Sequence, residues 1–428
     1  MVPNRGEVLA AATGLTLLLC SPSAHALWED EQGALYFGGS FRSTSAVMRY
    51  YDSPLFGGSA TGQGNNRADG LNYSALRLTA DGSPADWFSY ELHVVQDVSM
   101  ATSPGASGGF GFSDVAPSRY RLLRGSDTWL DEGDVDATLQ LDRANLTYRL
   151  DLFDVTVGRQ AITFGKAHFW NPLDVFLPFD SREFDREYKR GVDALRADIP
   201  LGDMSGLNFV AALGRRDGER VLDRTWYGSA LMARAYTNVA DWDVAAQGGK
   251  IYGGYQAGGG FTGVIGPIEV RAEAAYFFES DEPQEPVPVG DHATAVIGVG
   301  RLFDSSLNLQ AEYLYNGAGD DDDLFTAFRR VLAGRALQMS EHVAGGLVSY
   351  DLLPLLNGSV AAIVSLSDGS GVVQPGLSYS ISDESDVLFG ALLAFGRRPR
   401  PTSLTDPGLR SEFGTYPDFY YLQYRFYF

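Results

Sequence analysis

Residues 418–428 read DFYYLQYRFYF, and this stretch decides the fold. Counting back from the last residue, every second side chain is aromatic or aliphatic: Phe428, Phe426, Tyr424, Leu422 and Tyr420. The opposite face carries Tyr427, Arg425, Gln423 and Tyr421. A period of two with one apolar face is the pattern of a half-buried β-strand. Taken alone, it also fits an amphipathic strand that closes a soluble sheet, so the rest of the chain must decide.

The apolar face of this stretch ends on a terminal phenylalanine, and this ending resembles the closing strand of bacterial outer-membrane β-barrels. In those proteins the closing strand is the recognition signal for the barrel-insertion machinery. The resemblance therefore implies that the insertion machinery is a partner of this chain. It assigns the insertion signal to Tyr424, Phe426 and Phe428.

The other end of the chain predicts export. Residues 8–19 are apolar, a run too short to span a bilayer as a helix, which needs about 20 residues. Ala24-His25-Ala26 is a small-x-small cleavage site. We therefore predict a cleaved signal peptide over 1–26 and a single barrel domain over 27–428. The alternative of a lipoprotein anchored at Cys20 conflicts with Leu19, since the residue before a lipidated cysteine is small.

Composition agrees with a barrel. The chain has 25 Phe, 22 Tyr, 6 Trp and 50 Gly, but no apolar stretch long enough for a transmembrane helix. Its net charge is −21, and many acidic residues are bunched in segments rich in Gly, Pro and Ser, which read as loops. A strongly acidic exported protein is a poor nucleic-acid binder, so no nucleic-acid partner is expected.

Alternation and turn residues divide the chain into 18 strand candidates. They are 33–50, 71–81, 86–97, 136–149, 154–164, 190–201, 206–216, 225–237, 241–252, 253–265, 267–279, 291–303, 306–317, 336–350, 357–368, 371–382, 386–396 and 416–428. Glycine runs between 248 and 260 blur two of these strands, so 16 strands is the alternative. The connections mostly alternate between short and long, as periplasmic turns and external loops do. Because lipid forbids an open sheet edge, we predict an all-β fold, a closed antiparallel transmembrane β-barrel.

Barrels of 16–18 strands enclose a water-filled channel, and alternation assigns charged side chains to its wall. An arginine that faced lipid would cost about 2–4 kcal/mol, so the inward assignment is preferred. The predicted pore-lining residues are Arg77, Glu91, His93, Arg159, Arg196, Asp198, Glu269, Arg271, Glu273, Glu312 and Arg425. Their signs are mixed. Each could act only as a cross-strand pair that solvates the wall, and together they set the field inside the pore.

Residues 165–189, GKAHFWNPLDVFLPFDSREFDREYK, form the most informative connection. So many aromatic side chains do not stay free in water. We predict that this loop folds into the barrel and narrows it, and the alternative is a loop packed on the outer rim or against lipopolysaccharide. The residues assigned to this constriction loop are Trp170, Asp174, Asp180, Arg182, Asp185, Arg186 and Lys189.

Residues 157–160 (VGRQ), 170–172 (WNP) and 191–196 (GVDALR) are similar to a stretch of proteobacterial porin-like barrels. An 18-stranded barrel also resembles alginate-export and polysaccharide-secretion barrels. Exporters of acidic polymers are expected to have a strongly basic lumen, whereas the signs are mixed here. The resemblance to porins implies passive diffusion through an outer-membrane channel.

The sequence gives little sign of enzyme or cofactor chemistry. The four histidines after residue 26 lack ligand spacing, and no nucleophile elbow or phosphate-binding loop is present. The acidic run 320–323 lacks the spaced ligands of a calcium loop, so we expect a solvated loop rather than a metal site. No enzyme activity, cofactor or metal is predicted.

The sequence therefore predicts an integral barrel of the bacterial outer membrane that conducts polar or ionic solutes. Its expected partners are outer-membrane lipid and lipopolysaccharide. The alternatives are a polysaccharide-secretion or alginate-export-like conduit, which would also need periplasmic export components, and a plugged structural barrel.

Overall fold

The computed structural model describes residues 27–30, 34–50, 68–102, 119–123, 125–176, 188–215, 225–280, 287–400 and 407–428. The predicted signal peptide lies outside these residues. Twenty strands and one α-helix, α1 (Leu324–Leu332), lie within them. The first ten strands are β1 (Trp28–Glu29), β2 (Leu35–Arg49), β3 (Ala68–Ala85), β4 (Phe88–Ala101), β5 (Ser126–Glu132), β6 (Val135–Arg149), β7 (Asp154–Gln160), β8 (Val192–Gly202), β9 (Ser205–Ala212) and β10 (Ala230–Val239). The others are β11 (Trp242–Ile251), β12 (Gly254–Ile265), β13 (Ile268–Glu279), β14 (His292–Leu302), β15 (Asn308–Asn316), β16 (His342–Leu353), β17 (Leu356–Ser365), β18 (Gly371–Ser382), β19 (Ser385–Phe395) and β20 (Asp418–Tyr427).

Eighteen of these strands form a closed antiparallel barrel, with β1 and β5 added to it. The last strand, β20, closes the ring because it pairs with β19 on one side and with β2 on the other. Closure leaves no free edge, so ladder hydrogen bonds can satisfy the backbone on both sides of each barrel strand. The prediction of 18 strands is confirmed, and the alternative of 16 is excluded.

The two ends of the barrel differ in their connections. Tight turns join β8 to β9, β12 to β13 and β18 to β19, and the barrel begins and finishes at this same end. Most connections at the other end are long, apart from β11 to β12 and β17 to β18. This arrangement matches the alternation predicted from the turn residues.

The two faces of the wall also differ. On β13, Tyr276 and Phe278 point outward and are 42% and 45% exposed, whereas Arg271 and Glu273 point inward and are buried. Successive side chains of a strand alternate between faces, so one apolar face and one polar face follow directly from the sequence pattern. Among the described residues, no helix is long and apolar enough to cross a membrane.

Strand β7 departs from its predicted length of 154–164. It ends at Gln160, where the chain leaves the wall and turns into the barrel. Residues 119–123, Gly125 and β5 take its place beside β6, where the Leu141 N–H donates to the Gly125 carbonyl at 2.7 Å. On the other side, the Asp193 N–H donates to the Tyr120 carbonyl at 2.8 Å. The predicted loop 98–135 therefore contains a piece of wall, which sequence alternation missed.

The acidic run 320–323 starts helix α1. The Asp323 side chain accepts a hydrogen bond from the Thr326 N–H at 3.0 Å, the usual role of an N-cap aspartate. Hydrogen bonds from Thr326 hold the pKa of Asp323 below its usual value. This helix was missed at the sequence level, where 317–335 was assigned to a loop.

Candidate functional site in the barrel lumen

Residues 161–176, which we call the outgoing arm, lie inside the barrel. Ala167, Phe169 and Trp170 share an apolar cluster with ten side chains from eight neighbouring strands, β14–β20 and β2. The wall residues of this cluster are Ala46, Met48, Val296, Leu314, Val343, Ile363, Val372, Leu392, Ala394 and Phe419. A single segment can touch so much of the ring only from within.

The start and end of the outgoing arm pack against a second part of the wall. Ile162, Phe164 and Phe176 share an apolar cluster with inward side chains of β8, β9 and β10. Those wall residues are Val192, Ala194, Val210, Ala212, Ala230 and Met232. The outgoing arm therefore contacts both sides of the lumen.

Two wall carboxylates accept the backbone N–H groups of four consecutive residues of this arm. Glu273 of β13 accepts the N–H groups of Lys166 and Ala167 on the same oxygen, Oε1. Glu312 of β15 accepts the His168 N–H on Oε1 at 2.5 Å and the Phe169 N–H on Oε2 at 2.7 Å. A loop inside a barrel has lost much of its water, so its donors need such partners.

Two wall amides bind the carbonyl groups of the same arm. The Gln247 side chain of β11 donates to the Leu173 carbonyl at 2.7 Å, and that of Gln256 on β12 donates to the Pro172 carbonyl at 2.8 Å. Gln247 also donates to the Gln256 side-chain oxygen at 2.8 Å. Both glutamines are buried, so the carbonyls are matched where water has little access.

Two glycines of the wall make room for the arm. A Cβ atom at Gly345 would lie 2.8 Å from the Phe169 ring, and one at Gly258 would lie 2.8 Å from Leu173. A larger side chain at either position would push the arm away from the wall. The glycine run 258–260 therefore includes a close packing contact with the arm.

Residues 188–191, which we call the returning arm, bind a different part of the wall. Arg143 donates to the Lys189 carbonyl at 2.6 Å, and Arg121 donates to the Gly191 carbonyl at 3.1 Å. Asp142 accepts the Gly191 N–H at 3.3 Å. Asp142 has no partner in the register of β4, because the pairing shifts between His93 and Val94. This β-bulge interrupts the alternation, so that both Asp142 and Arg143 contact the returning arm.

Arginines surround the returning arm. The Arg77 guanidinium lies 4.1 Å from the centre of the Tyr188 ring and that of Arg42 lies 5.8 Å from it. Arg77 also forms an ion pair with Asp142 at 2.7 Å. Arg42 lies directly opposite Arg425 in the pairing of β2 with β20. Positive side chains are thus concentrated on the wall between β20 and β6.

The two arms bind opposite walls of the ring. Arg77 on β3 and Glu273 on β13 are nine steps apart in either direction around the 18-strand ring. The same holds for Arg143 on β6 and Glu312 on β15. Guanidinium groups around the returning arm and carboxylates around the outgoing arm give the lumen a partial transverse separation of charge, with Asp142 and Arg271 as the residues of opposite sign on each wall.

The structure places all the predicted pore-lining residues except Arg159 on the inner face. Glu91 accepts from Asn145 at 2.8 Å, and His93 lies 2.9 Å from Asp81. Arg196 and Asp198 form an ion pair at 2.9 Å. Arg271 pairs with Glu269 at 3.2 Å and with Glu312 at 3.0 Å. The Arg425 side chain donates to that of Gln423 at 2.7 Å.

The prediction for Arg159 was wrong. Arg159 lies opposite Asp193 in the register and pairs with it at 2.7 Å, on the outward face that also carries Val157 and Leu195. It is buried because residues 119–123 and Gly125 cover it, and it donates to the Leu123 carbonyl at 2.6 Å. Arg159 lies where β7 leaves the wall, and there it binds the segment around Leu123 that takes the place of β7 beside β6.

Three of the seven constriction-loop residues lie within the described part of the chain. Trp170 is 2% exposed and belongs to the apolar cluster, and Asp174 forms a buried ion pair with Lys189 that joins the two arms. Asp180, Arg182, Asp185 and Arg186 lie outside the described residues. Of the insertion-signal residues, Phe426 and Phe428 are buried and their ring centres are 5.7 Å apart.

Sequence reasoning missed several residues that hold the arms, among them Arg42, Asp142, Arg143, Gln247 and Gln256. The alternation of β2 could have assigned Arg42 to the lumen. Asp142 and Arg143 were hidden by the bulge, which no sequence signal marked. The glutamines carry no charge, so a search for charged wall residues passed over them.

A third carboxylate binds paired backbone N–H groups above the lumen, in the long connections. Glu412 accepts the Met339 N–H at 2.9 Å and the Ser340 N–H at 3.0 Å, while its own N–H donates to Asp368 at 2.7 Å. Burial raises the pKa of Glu412 to about 7, and the nearby Asp368 carboxylate adds to the rise. The next residue, Phe413, packs in the same cluster as Trp170.

Solved porin structures share this fold. Over 93% of this chain and all of the other, OccAB4 of Acinetobacter baumannii gives a TM-score of 0.54 at 9% identity. OpdK of Pseudomonas aeruginosa, crystallised with vanillate, gives a TM-score of 0.52 at 11% identity, over 93% of this chain and 99% of OpdK. A BenF-like porin of Pseudomonas fluorescens Pf-5 gives a TM-score of 0.52 at 10% identity, over 91% of this chain and 98% of the porin. No protein-family model matches the chain, and no curated protein matches it in sequence. The prediction of a porin-like barrel is confirmed at the level of the fold.

Proposed function

We propose that this protein is a passive channel of the bacterial outer membrane, through which small polar or ionic solutes diffuse. The observation that carries the proposal is the barrel itself, whose outer face is apolar and exposed while its inner face is charged and crossed by a packed segment. Apolar side chains facing hydrocarbon and polar ones facing an aqueous lumen are what a membrane channel requires. The fold shared with solved porins supports the same conclusion.

The outgoing arm is the proposed constriction. It contacts wall residues on both sides of the lumen, so it reduces the space left for a solute. An arm held by hydrogen bonds and by apolar packing sets a fixed width rather than acting as a free flap. Selection by size then follows from the position of the arm.

Charge supplies the second selection. The arginines between β20 and β6 lie across the ring from Glu273 and Glu312, so a solute in the lumen experiences a transverse field. Such a field favours solutes that carry separated charges or a strong dipole. OpdK was crystallised with vanillate, a small carboxylate, and we infer solutes of comparable size for this chain.

A liposome-swelling assay with purified protein tests this proposal. Solutes of increasing size, from amino acids to oligosaccharides, should enter at rates that fall steeply with size. Swelling no faster than in protein-free liposomes would reject the channel and favour a plugged barrel. Rapid passage or binding of an acidic polysaccharide would favour the export conduit instead.

Membrane insertion is proposed to depend on the final strand. Tyr424, Phe426 and Phe428 share its outward face, and the Phe428 N–H donates to the Gly39 carbonyl at 3.0 Å beside the closing strand pair. Removal of Phe428 should lower the amount of folded barrel in the outer-membrane fraction of expressing cells. Unchanged amounts would reject this role, whatever the result of the swelling assay.

A further inference from the structure

Glu312 and Glu273 bind the outgoing arm in the same way at first sight, but their acceptor geometry differs. Glu312 uses both carboxylate oxygens, one for the His168 N–H and one for the Phe169 N–H. Within the described part of the chain, the hydrogen bonds to Glu273 fall on Oε1 alone, which accepts from Lys166 and Ala167 together. The difference matters because only a carboxylate offers two equivalent acceptor oxygens on one side chain.

The surroundings of Glu312 favour this arrangement. Arg271 forms an ion pair with it at 3.0 Å, so its charge is balanced in a buried position. Gly298 of β14 lies between the two strands, and a Cβ atom there would lie 2.7 Å from Glu312 Cγ and 2.9 Å from Arg271 Nε. The missing side chain at Gly298 allows both long side chains to lie across β14.

We propose that Glu312 is the positioning residue that sets the width of the constriction, by fixing His168 and Phe169 and thereby the two aromatic side chains at 169 and 170. This inference rests on the proposed channel function and assigns the control of its size limit. Phe169 carries one of the two bound N–H groups, and its ring packs on Gly345. The Trp170 ring packs beside the Phe169 ring. If the two N–H groups lose their acceptor, these rings lose their fixed place on the wall.

A matched pair of variants separates this role from a general need for negative charge. In Glu312→Gln, the amide NH₂ must face one of the two backbone donors, so one hydrogen bond is lost and a buried donor is left without an acceptor. In Glu273→Gln, the remaining oxygen can still accept from both Lys166 and Ala167. Both variants lose one charge from the inner wall, so they differ chiefly in acceptor geometry. Glu91→Gln serves as the control, since Glu91 is bound to Asn145 on another part of the wall.

The first measurement is single-channel conductance with polyethylene glycols of graded size. Glu312→Gln should increase the open-channel conductance by about 1.5-fold or more and admit larger polymers, because fixed packing at the arm no longer excludes them. Glu273→Gln and Glu91→Gln also remove one charge from the inner wall but keep the hydrogen bonds of the arm, so they should change the conductance and the size limit by less than Glu312→Gln does. Equal or reduced conductance in Glu312→Gln, or an equal increase in all three variants, would overturn the proposal.

The second measurement does not depend on conduction. Hydrogen exchange of a peptide covering residues 165–171 should be faster by about tenfold in Glu312→Gln than in wild type, since the opening of a hydrogen-bonded amide limits its exchange. The change in Glu273→Gln should be smaller. Unchanged exchange in Glu312→Gln would overturn the positioning role, whereas a wild-type barrel without any conductance would reject the channel function alone.

Discussion

The two arms of the segment inside the barrel are held by opposite chemistry. The outgoing arm is bound mainly by carboxylates and amides of β11–β15, and the returning arm is bound mainly by Arg143 of β6 and by Arg121. Carboxylates accept from backbone N–H groups, and guanidinium groups donate to backbone carbonyls. The wall therefore matches whichever backbone group each arm presents, and the charges predicted to line a pore are in part used to hold a loop.

The largest effect is expected at Asp142, the acidic centre of the group of wall residues that binds the returning arm. Asp142 lies 2.7 Å from Arg77, 3.5 Å from Arg143 and 3.9 Å from Arg121. Asp142→Asn would remove the charge that balances this group, and the loss of one partner from a buried pair costs about 3–5 kcal/mol. The free energy of unfolding in denaturant should fall by that amount, with faster hydrogen exchange around 188–191. Asp81→Asn is the control, since the Asp81 side chain is 39% exposed and pairs only with His93 among the described residues. If Asp142→Asn lowers the free energy of unfolding by no more than this control does, the role of Asp142 is contradicted.

Glu412 can be compared with Glu312, since each carboxylate binds two backbone N–H groups. Glu412 lies beside Asp368, however, whereas Glu312 lies beside Arg271. Its pKa of about 7 is raised from 4.5, so the folded state holds a proton that the unfolded state releases. Stability from this group is therefore fully present below pH 4.5 and is lost as the pH rises through 7. The shift corresponds to an effect on the order of 3 kcal/mol.

Thermal unfolding between pH 5 and 8 measures this effect. The melting temperature of the wild type should fall across the range by more than that of Glu412→Gln, in which no proton is released. Parallel curves for the two proteins would show that Glu412 does not titrate in this interval.

A smaller effect is expected from the neutral contacts of the outgoing arm. Gln256→Leu keeps the approximate size of the side chain but leaves the Pro172 carbonyl and the Gln247 amide without their partner. A buried polar group left unsatisfied costs about 1–3 kcal/mol, measured as the free energy of unfolding. Gln140→Leu, at a glutamine bound to Asp97, provides a control away from the arms. A loss no larger than in that control would argue against a specific contact.

The smallest effect is expected at Lys166, whose side chain is exposed although it lies within the outgoing arm. Lys166 pairs with Asp243 at 2.6 Å, but the two side chains are 50% and 51% exposed. Exposed ion pairs contribute about 0–1 kcal/mol, so Lys166→Met should leave the stability and the size limit of the channel near their wild-type values. A large change in either would place the control of the constriction at Lys166 rather than at Glu312.

Much of the fold follows from the sequence because a half-buried strand leaves a period of two in its side chains. That pattern located all 18 barrel strands and placed Glu273, Glu312 and Arg425 on the inner face. The clustered aromatic residues of 165–189 also indicated a buried loop. Each of these features depends on local order along the chain.

The remaining features depend on contacts between distant residues. The bulge at Asp142 and the replacement of β7 by residues 119–125 leave no periodic signal, so Arg159 was assigned to the wrong face. The binding of backbone groups by Glu312 and Gln256 requires the position of the arm in three dimensions. Alternation can tell which way a side chain points, but it cannot tell what the side chain meets.

Single-channel recording of the wild-type protein in a planar lipid bilayer tests the central claim most directly. The account predicts discrete current steps of uniform size that stay open, because water fills a lumen narrowed by a firmly held segment. A folded barrel that inserts into the bilayer and yields no current steps would contradict it.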